Sequence, residues 1–211
     1  MKLPIMGHIA VWSTVIPAVV GVWRFGRLDK AMKYFAAFCV VSVVNVFLEV
    51  LLGRLGIRNY FVSDLYFLVA VPFFGIVYHF SIKARVARNV LKLCTALFVL
   101  VWLIQKAAFW DPNQLSSTLA MVTALFLVIM SIVTLNTFLK SSSSRLTGEP
   151  IFWVLTGTIV YYSGTFVVMG LGNELLKISL SMFETGWYIN WILIVVSMLM
   201  YTKGFLCKSQ V

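Results

Sequence analysis

Three polar side chains interrupt an otherwise apolar stretch with regular spacing. Ser42, Asn45 and Glu49 are separated by three and then four residues, so on a helix they share one face. Polar groups at such positions are costly in hydrocarbon and therefore face a bundle interior or a water-filled cavity. Asp64 enters near the start of the next apolar run, and Lys106 near the end of a later one supplies a counter-charge. His8 and Asn190 fall toward the same side of the chain's path. Together His8, Asn45, Glu49, Asp64, Lys106 and Asn190 are expected to line one outward-opening pocket, whose chemistry is recognition of a small molecule or lipid. The same residues also allow a purely structural arrangement. Glu49 then pairs with Lys106 or Arg54 to hold helices together, and Asp64 caps its helix.

His79 follows Asp64 by fifteen residues, which on a helix is about 22 Å at the usual rise. It belongs near the opposite face, beside Tyr78 and Lys83, as an interfacial histidine bonded to a neighbour rather than a proton relay. Pro72 lies between the two, in Val71-Pro72-Phe73-Phe74-Gly75. Its missing N–H marks a bend that either couples the pocket to His79 or is static; Pro17 marks another in the first segment. Catalytic patterns are thin. Ser163-Gly164 lacks the glycine-rich surroundings and deep histidine of an intramembrane serine protease. Neither HExxH nor a double-acidic protease signature occurs. Glu49 with Asp64 as an acid–base pair is the remaining enzymatic option. Cys39, Cys94 and Cys207 are odd in number and lack CxxC spacing, so no disulfide framework, metal or cofactor is expected. The final helix carries only Lys203, at its end, where a retinal protein needs a central lysine.

These groups are positioned by a chain of 211 residues that is 61% hydrophobic and only 11% charged. Its mean hydropathy is +0.97, which places it in the membrane class. Seven apolar segments of near-spanning length are read at residues 4–23, 34–52, 61–82, 89–109, 116–139, 150–171 and 187–206. Their continuous apolarity requires helices rather than the alternating, half-length strands of a barrel. The expectation is one all-α domain over residues 1–211, a single bundle of seven transmembrane helices. The first run continues to Trp23 without a small-residue cleavage site and reads as the first helix, not a signal peptide. Connections are short: Asp111-Pro112-Asn113 is a turn, residues 141–144 form a serine linker, and Pro150 starts the sixth helix. Residues 172–186 form the longest connection, with room for a short surface helix.

Orientation follows from the loops. With the N-terminus outside the cytoplasm, the inner ends carry Arg24, Arg27, Lys30, Lys33, Lys83, Arg85, Arg88, Lys92, Lys140, Arg145, Lys203 and Lys208. The outer ends carry Lys2, Arg54, Arg58, Lys106 and Lys177. That asymmetry puts the C-terminus inside. Asp29 and Glu149 fall inside and the other five acids outside, so the whole net charge of +10 lies on the inner face. Basic residues confined to short loops are a topology signal, not a nucleic-acid groove. Trp110, Trp187 and Tyr188 suit the outer interface; Trp23, Tyr34, Trp153 and Tyr201 suit the inner one.

Short motifs add a likeness. Asn59-Tyr60-Phe61 with Asp64-Leu65-Tyr66, and Pro150-Ile151-Phe152-Trp153 followed by Gly157 and Tyr161-Tyr162-Ser163-Gly164-Thr165, give the chain a pattern that resembles the compact seven-helix input regions of bacterial sensor histidine kinases. It also resembles small stand-alone bacterial proteins like them. The resemblance implies a bacterial inner-membrane protein working in signal transduction. Val211 follows the seventh segment directly, so an input module whose output lies in a separate partner is expected. The leading reading is thus a non-enzymatic membrane sensor or accessory protein, with the lipid bilayer and a sensor kinase or other membrane protein as partners. A small transporter or channel is the alternative, with His79 and Asn136 as inner polar groups, and an intramembrane lipid-modifying enzyme is third.

Overall fold

Helices account for nearly all of the chain in the computed structural model, which describes residues 4–57, 59–109, 117–141 and 146–207. The first span, Ile5–Trp23, consists of α1 (Ile5–Ser13) and α2 (Val15–Trp23). Pro17 has no N–H to give the Ser13 carbonyl, so the ladder breaks there. The hydroxyls of Ser13 and Thr14 turn back onto the carbonyls of Ala10 and Val11, each at 2.7 Å. Thr14 keeps helical dihedrals, and the break remains a local one.

Helix α3 (Lys30–Arg54) starts at Asp29, whose carboxylate accepts the Met32 N–H at 2.8 Å, a standard N-cap. It ends through Gly56, at φ +71°, the left-handed position that glycine adopts without strain. Next come α4 (Tyr60–Ser81), with Pro72 inside it, α5 (Arg85–Phe109) and α6 (Ser117–Ser141). Helix α7 (Pro150–Ile178) opens on proline, and α8 (Leu180–Leu206) completes the fold. Among the described residues there is no strand. Seven helices, counting α1 and α2 together, are long and apolar enough to cross a membrane.

The expected 172–186 connection is not a loop with a surface helix. Helices α7 and α8 run on through it and meet at the single residue Ser179, which is extended and whose side chain accepts the Met182 N–H at 3.1 Å. The polar residues there ride on helical extensions: Glu174 and Lys177 pair across one turn at 2.7 Å. The basic flanks behave alike, so α3 begins at Lys30 and α5 at Arg85 rather than at 34 and 89. Hydropathy marks where a helix leaves the apolar layer, whereas the backbone ladder ends only at a cap. The turn at 111–113, residues 142–145, Lys2, Arg58, Trp110 and Lys208 lie outside the described residues.

Six spans close a ring. The α1–α2 pair packs on α3 and α8, α3 packs on α4, α4 on α6, α6 on α7 and α7 on α8. Helix α5 stands outside this ring, against α4. The ring's centre toward the Lys30 end is aromatic. Phe35 meets Tyr201 edge-on at 4.8 Å between centroids, Phe205 at 5.5 Å and Phe74 at 6.0 Å, contacts that aromatic quadrupoles favour. Arg24 closes the same end by donating to the Phe205 carbonyl at 2.6 Å, which satisfies an orphan acceptor of the last turn of α8.

Candidate ligand-binding pocket

Toward the opposite end the ring is hollow. A cavity of about 370 Å³ opens between α1–α2, α3, α4, α7 and α8, a size ordinary for small-molecule sites. Its α3 wall runs from Glu49 to Phe38, eleven positions apart and hence about 16 Å deep. Nine of the lining residues are aromatic, among them Tyr60, Tyr66, Tyr161, Tyr162, Trp187 and Trp191.

Glu49 is the wall's carboxylate. Its Oε1 accepts two neutral donors, Asn45 Nδ2 at 3.1 Å and Ser63 Oγ at 2.7 Å. Asn45 reaches it because the two residues stand one turn apart on α3. Ser63 is delivered by α4, whose approach is fixed by Asn59: its side-chain amide donates to the Glu49 carbonyl at 2.8 Å. One level deeper, the Ser42 hydroxyl donates to the Phe38 carbonyl at 2.9 Å and meets the Tyr66 hydroxyl at 3.2 Å. Deeper still, the Thr158 and Tyr201 hydroxyls meet at 3.2 Å. Phe38, Cys39, Met198 and Tyr201 are the innermost lining residues, and the Phe35 ring stack closes the space beyond them.

Two lining groups are buried without a hydrogen-bond partner, the Tyr162 hydroxyl and Asn190 Oδ1. Their residues are 1% and 4% exposed, and buried polar atoms in folded proteins are nearly always paired. Gly164 makes room for Asn190, since a Cβ there stands 2.8 Å from Asn190 Oδ1 and 2.7 Å from Leu193 Cδ1.

Of the six residues expected to share a pocket, the structure brings Asn45, Glu49 and Asn190 to this one. Asp64 and Lys106 sit elsewhere. They form a buried ion pair between α4 and α5, with the Lys106 ammonium 5.9 Å from the Trp102 ring centroid. Ser63 falls within the α4 face that Tyr60, Tyr66 and Phe67 turn to the cavity, whereas Asp64 lies at the edge of that face and turns to Lys106 of α5. His8 is exposed on α1 and lines nothing here. The alternative pairing fares no better: among the described residues Glu49 has neither Lys106 nor Arg54 as an ion partner. Asp64 lies inside α4, not at its cap.

His79 does not make the expected bond through Nδ1, which is buried without a partner; its ring stands edge-on to Phe80 at 5.3 Å. Pro72 is contained in an unbroken α4. Tyr201, expected at an interface, is a core residue. Sequence reasoning passed over Ser63, Tyr66 and the Tyr161–Tyr162 pair as site residues. The one available signal was the spacing of three from Ser63 to Tyr66 on the helix that follows the Glu49 stripe. Of Trp187, Asn190, Ile194, Ser197 and Tyr201, whose spacing reads first as a packing seam, all but Ser197 lie on the α8 wall, together with Trp191 and Met198.

Among the described residues no group of three or more His, Cys, Asp or Glu side chains is placed to hold a metal. What the described wall offers is the Glu49 carboxylate and aromatic side chains. No protein-family model, no curated protein and no solved structure matches this chain.

Proposed function

We propose that the chain is a multi-pass protein of the bacterial inner membrane that senses a small molecule or lipid and signals through a separate partner, without catalysis of its own. The observation that carries this reading is a blind pocket. It is polar at the Glu49 rim, deep and aromatic in the middle, and backed by the fully buried rings of Phe35, Phe74 and Phe205. A channel or carrier needs a polar path onward, and the ring stack stands across it. A binding site needs only an entrance.

The charge distribution supports an entrance on the outer side. Arg24, Lys30, Lys33, Lys83, Arg88 and Lys203 gather at the end away from Glu49, which the positive-inside rule assigns to the cytoplasm. That basic face suits anionic lipid or a partner protein, and the likeness to kinase input regions makes a sensor kinase the natural choice. A ligand in the pocket touches α3, α4, α7 and α8 at once, so it biases any two packings in which these helices differ.

Extraction of the native protein in mild detergent is expected to bring a kinase or regulator with it. A thermal-shift screen is expected to yield a ligand that stabilises the wild type and not Glu49→Gln. Absence of both a partner and a Glu49-dependent ligand overturns the reading. Substrate flux into liposomes, abolished by Glu49→Ala, replaces it with a transporter.

A further inference from the structure

The two carboxylates near the rim are treated differently, and the difference bears on what the pocket takes. Asp64 points to the α4–α5 interface and has its own cation, Lys106. Glu49 lines the cavity, and its described partners are a neutral amide and a neutral hydroxyl bound to the same oxygen. Among the described lining residues there is no lysine, arginine or histidine. A carboxylate withdrawn from water is stabilised most by an opposite charge, and the described residues of this wall supply none.

The rest of the wall favours the same sign. Aromatic faces carry negative potential and attract ammonium groups, and nine aromatic residues line the cavity. The remaining surface is apolar, including Val46, Ile194 and Met198. We infer that the pocket binds an organic cation, an amine or quaternary ammonium on an apolar body, with its charge at Glu49 and its body along the tyrosines and tryptophans. This deepens the sensor reading and rests on the pocket being a binding site. The same chemistry is presented by a free amine and by an ammonium-bearing lipid headgroup.

The test uses the full chain in dodecyl maltoside, which carries no ammonium. The probes are benzyltrimethylammonium, its uncharged carbon isostere neopentylbenzene, and benzoate. Binding is read by thermal shift and by the fluorescence of Trp187 and Trp191. The cation is expected to bind saturably and about tenfold or more tighter than the isostere. Glu49→Gln is expected to remove that preference while leaving the isostere's affinity unchanged. Should Glu49→Gln fail to fold, Trp191→Leu replaces it, read by thermal shift and by Trp187 alone, and is expected to lower the preference for the cation over the isostere by about threefold to tenfold.

Displacement of the probe by phosphatidylethanolamine and not by phosphatidylglycerol identifies a lipid headgroup; displacement by neither identifies a free amine. Equal or tighter binding of the isostere or benzoate overturns the inference but keeps the pocket as a receptor. Binding of none of the three, together with an empty ligand screen, overturns both.

Discussion

Glu49 and Asp64 are both acids near one end of the bundle, yet their surroundings make them opposite kinds of residue. Asp64 is a closed account of charge, since Lys106 lies against it and both side chains are largely buried. Removing one member leaves the other charged and unpaired in a poorly solvated place, at about 3–5 kcal/mol. Lys106→Met is therefore expected to lower thermal stability in detergent strongly, and the double variant Asp64→Leu/Lys106→Met to recover most of the loss. Glu49 is held rather than neutralised. Asn45→Leu removes one of its two described donors and is expected to cost about 1 kcal/mol while weakening every Glu49-dependent ligand. The α3 stripe of Ser42, Asn45 and Glu49 was legible because helical spacing alone places it on one face. The partners were not, because which of two acids meets Lys106 depends on the rotation of α4 about its own axis.

At the scale of elements, the α7–α8 seam is where close approach matters most. A Cβ on Gly157 stands 2.7 Å from the Tyr201 ring, and that ring packs edge-on against Phe35, so it has to shift at the cavity floor that it lines. Gly157→Ala is expected to destabilise the protein by about 1–3 kcal/mol through overpacking. Its effect on the pocket floor is to be followed by tyrosine and tryptophan near-UV circular dichroism. The α3–α4 corner is pinned by a lighter device. Asn59→Ala takes away the donor to the Glu49 carbonyl, at about 1 kcal/mol. Because it frees α4, it is also expected to loosen Ser63 from Glu49, read as a weakened ligand response larger than the stability loss explains. The seven spans were readable from apolar length, but their ends were not. Polar residues such as Glu174 and Lys177 extend a helix as readily as they end one, and only the cap at Ser179 decides.

Over the whole molecule, the ring of six spans with α5 outside sets which surfaces meet lipid and which enclose the cavity. The exposed Leu93, Leu97, Leu100 and Ile104 lie along α5, a face that hydrocarbon satisfies and water does not. The proposed topology makes a direct prediction. Reporter fusions or protease mapping are expected to place Lys30 and Arg85 on one side of the bilayer and Glu184 on the other. Finding Lys30 and Arg85 on opposite sides removes the seven-span topology, and with it the outward entrance. Arg24 tests the closed end: Arg24→Ala removes a charge-assisted bond to the end of α8, at about 1.5–3 kcal/mol. That loss is expected as a lower melting temperature with ligand affinity unchanged.

Hydropathy and helical periodicity by themselves determined the class of protein, the number of spans and the polar face of α3, because these depend on the solvent a residue can tolerate and on the fixed turn of a helix. The loop charges determined the expected orientation in the same local way. Only the tertiary structure decided that Asp64 belongs to Lys106, that His8 stands apart, and that Tyr66, Tyr161, Tyr162 and Tyr201 reach one hollow. Those outcomes rest on how helices distant in the chain are rotated and seated against one another. Packing sets that through small residues such as Gly157 and Gly164, whose effect has no counterpart in the composition of any single segment.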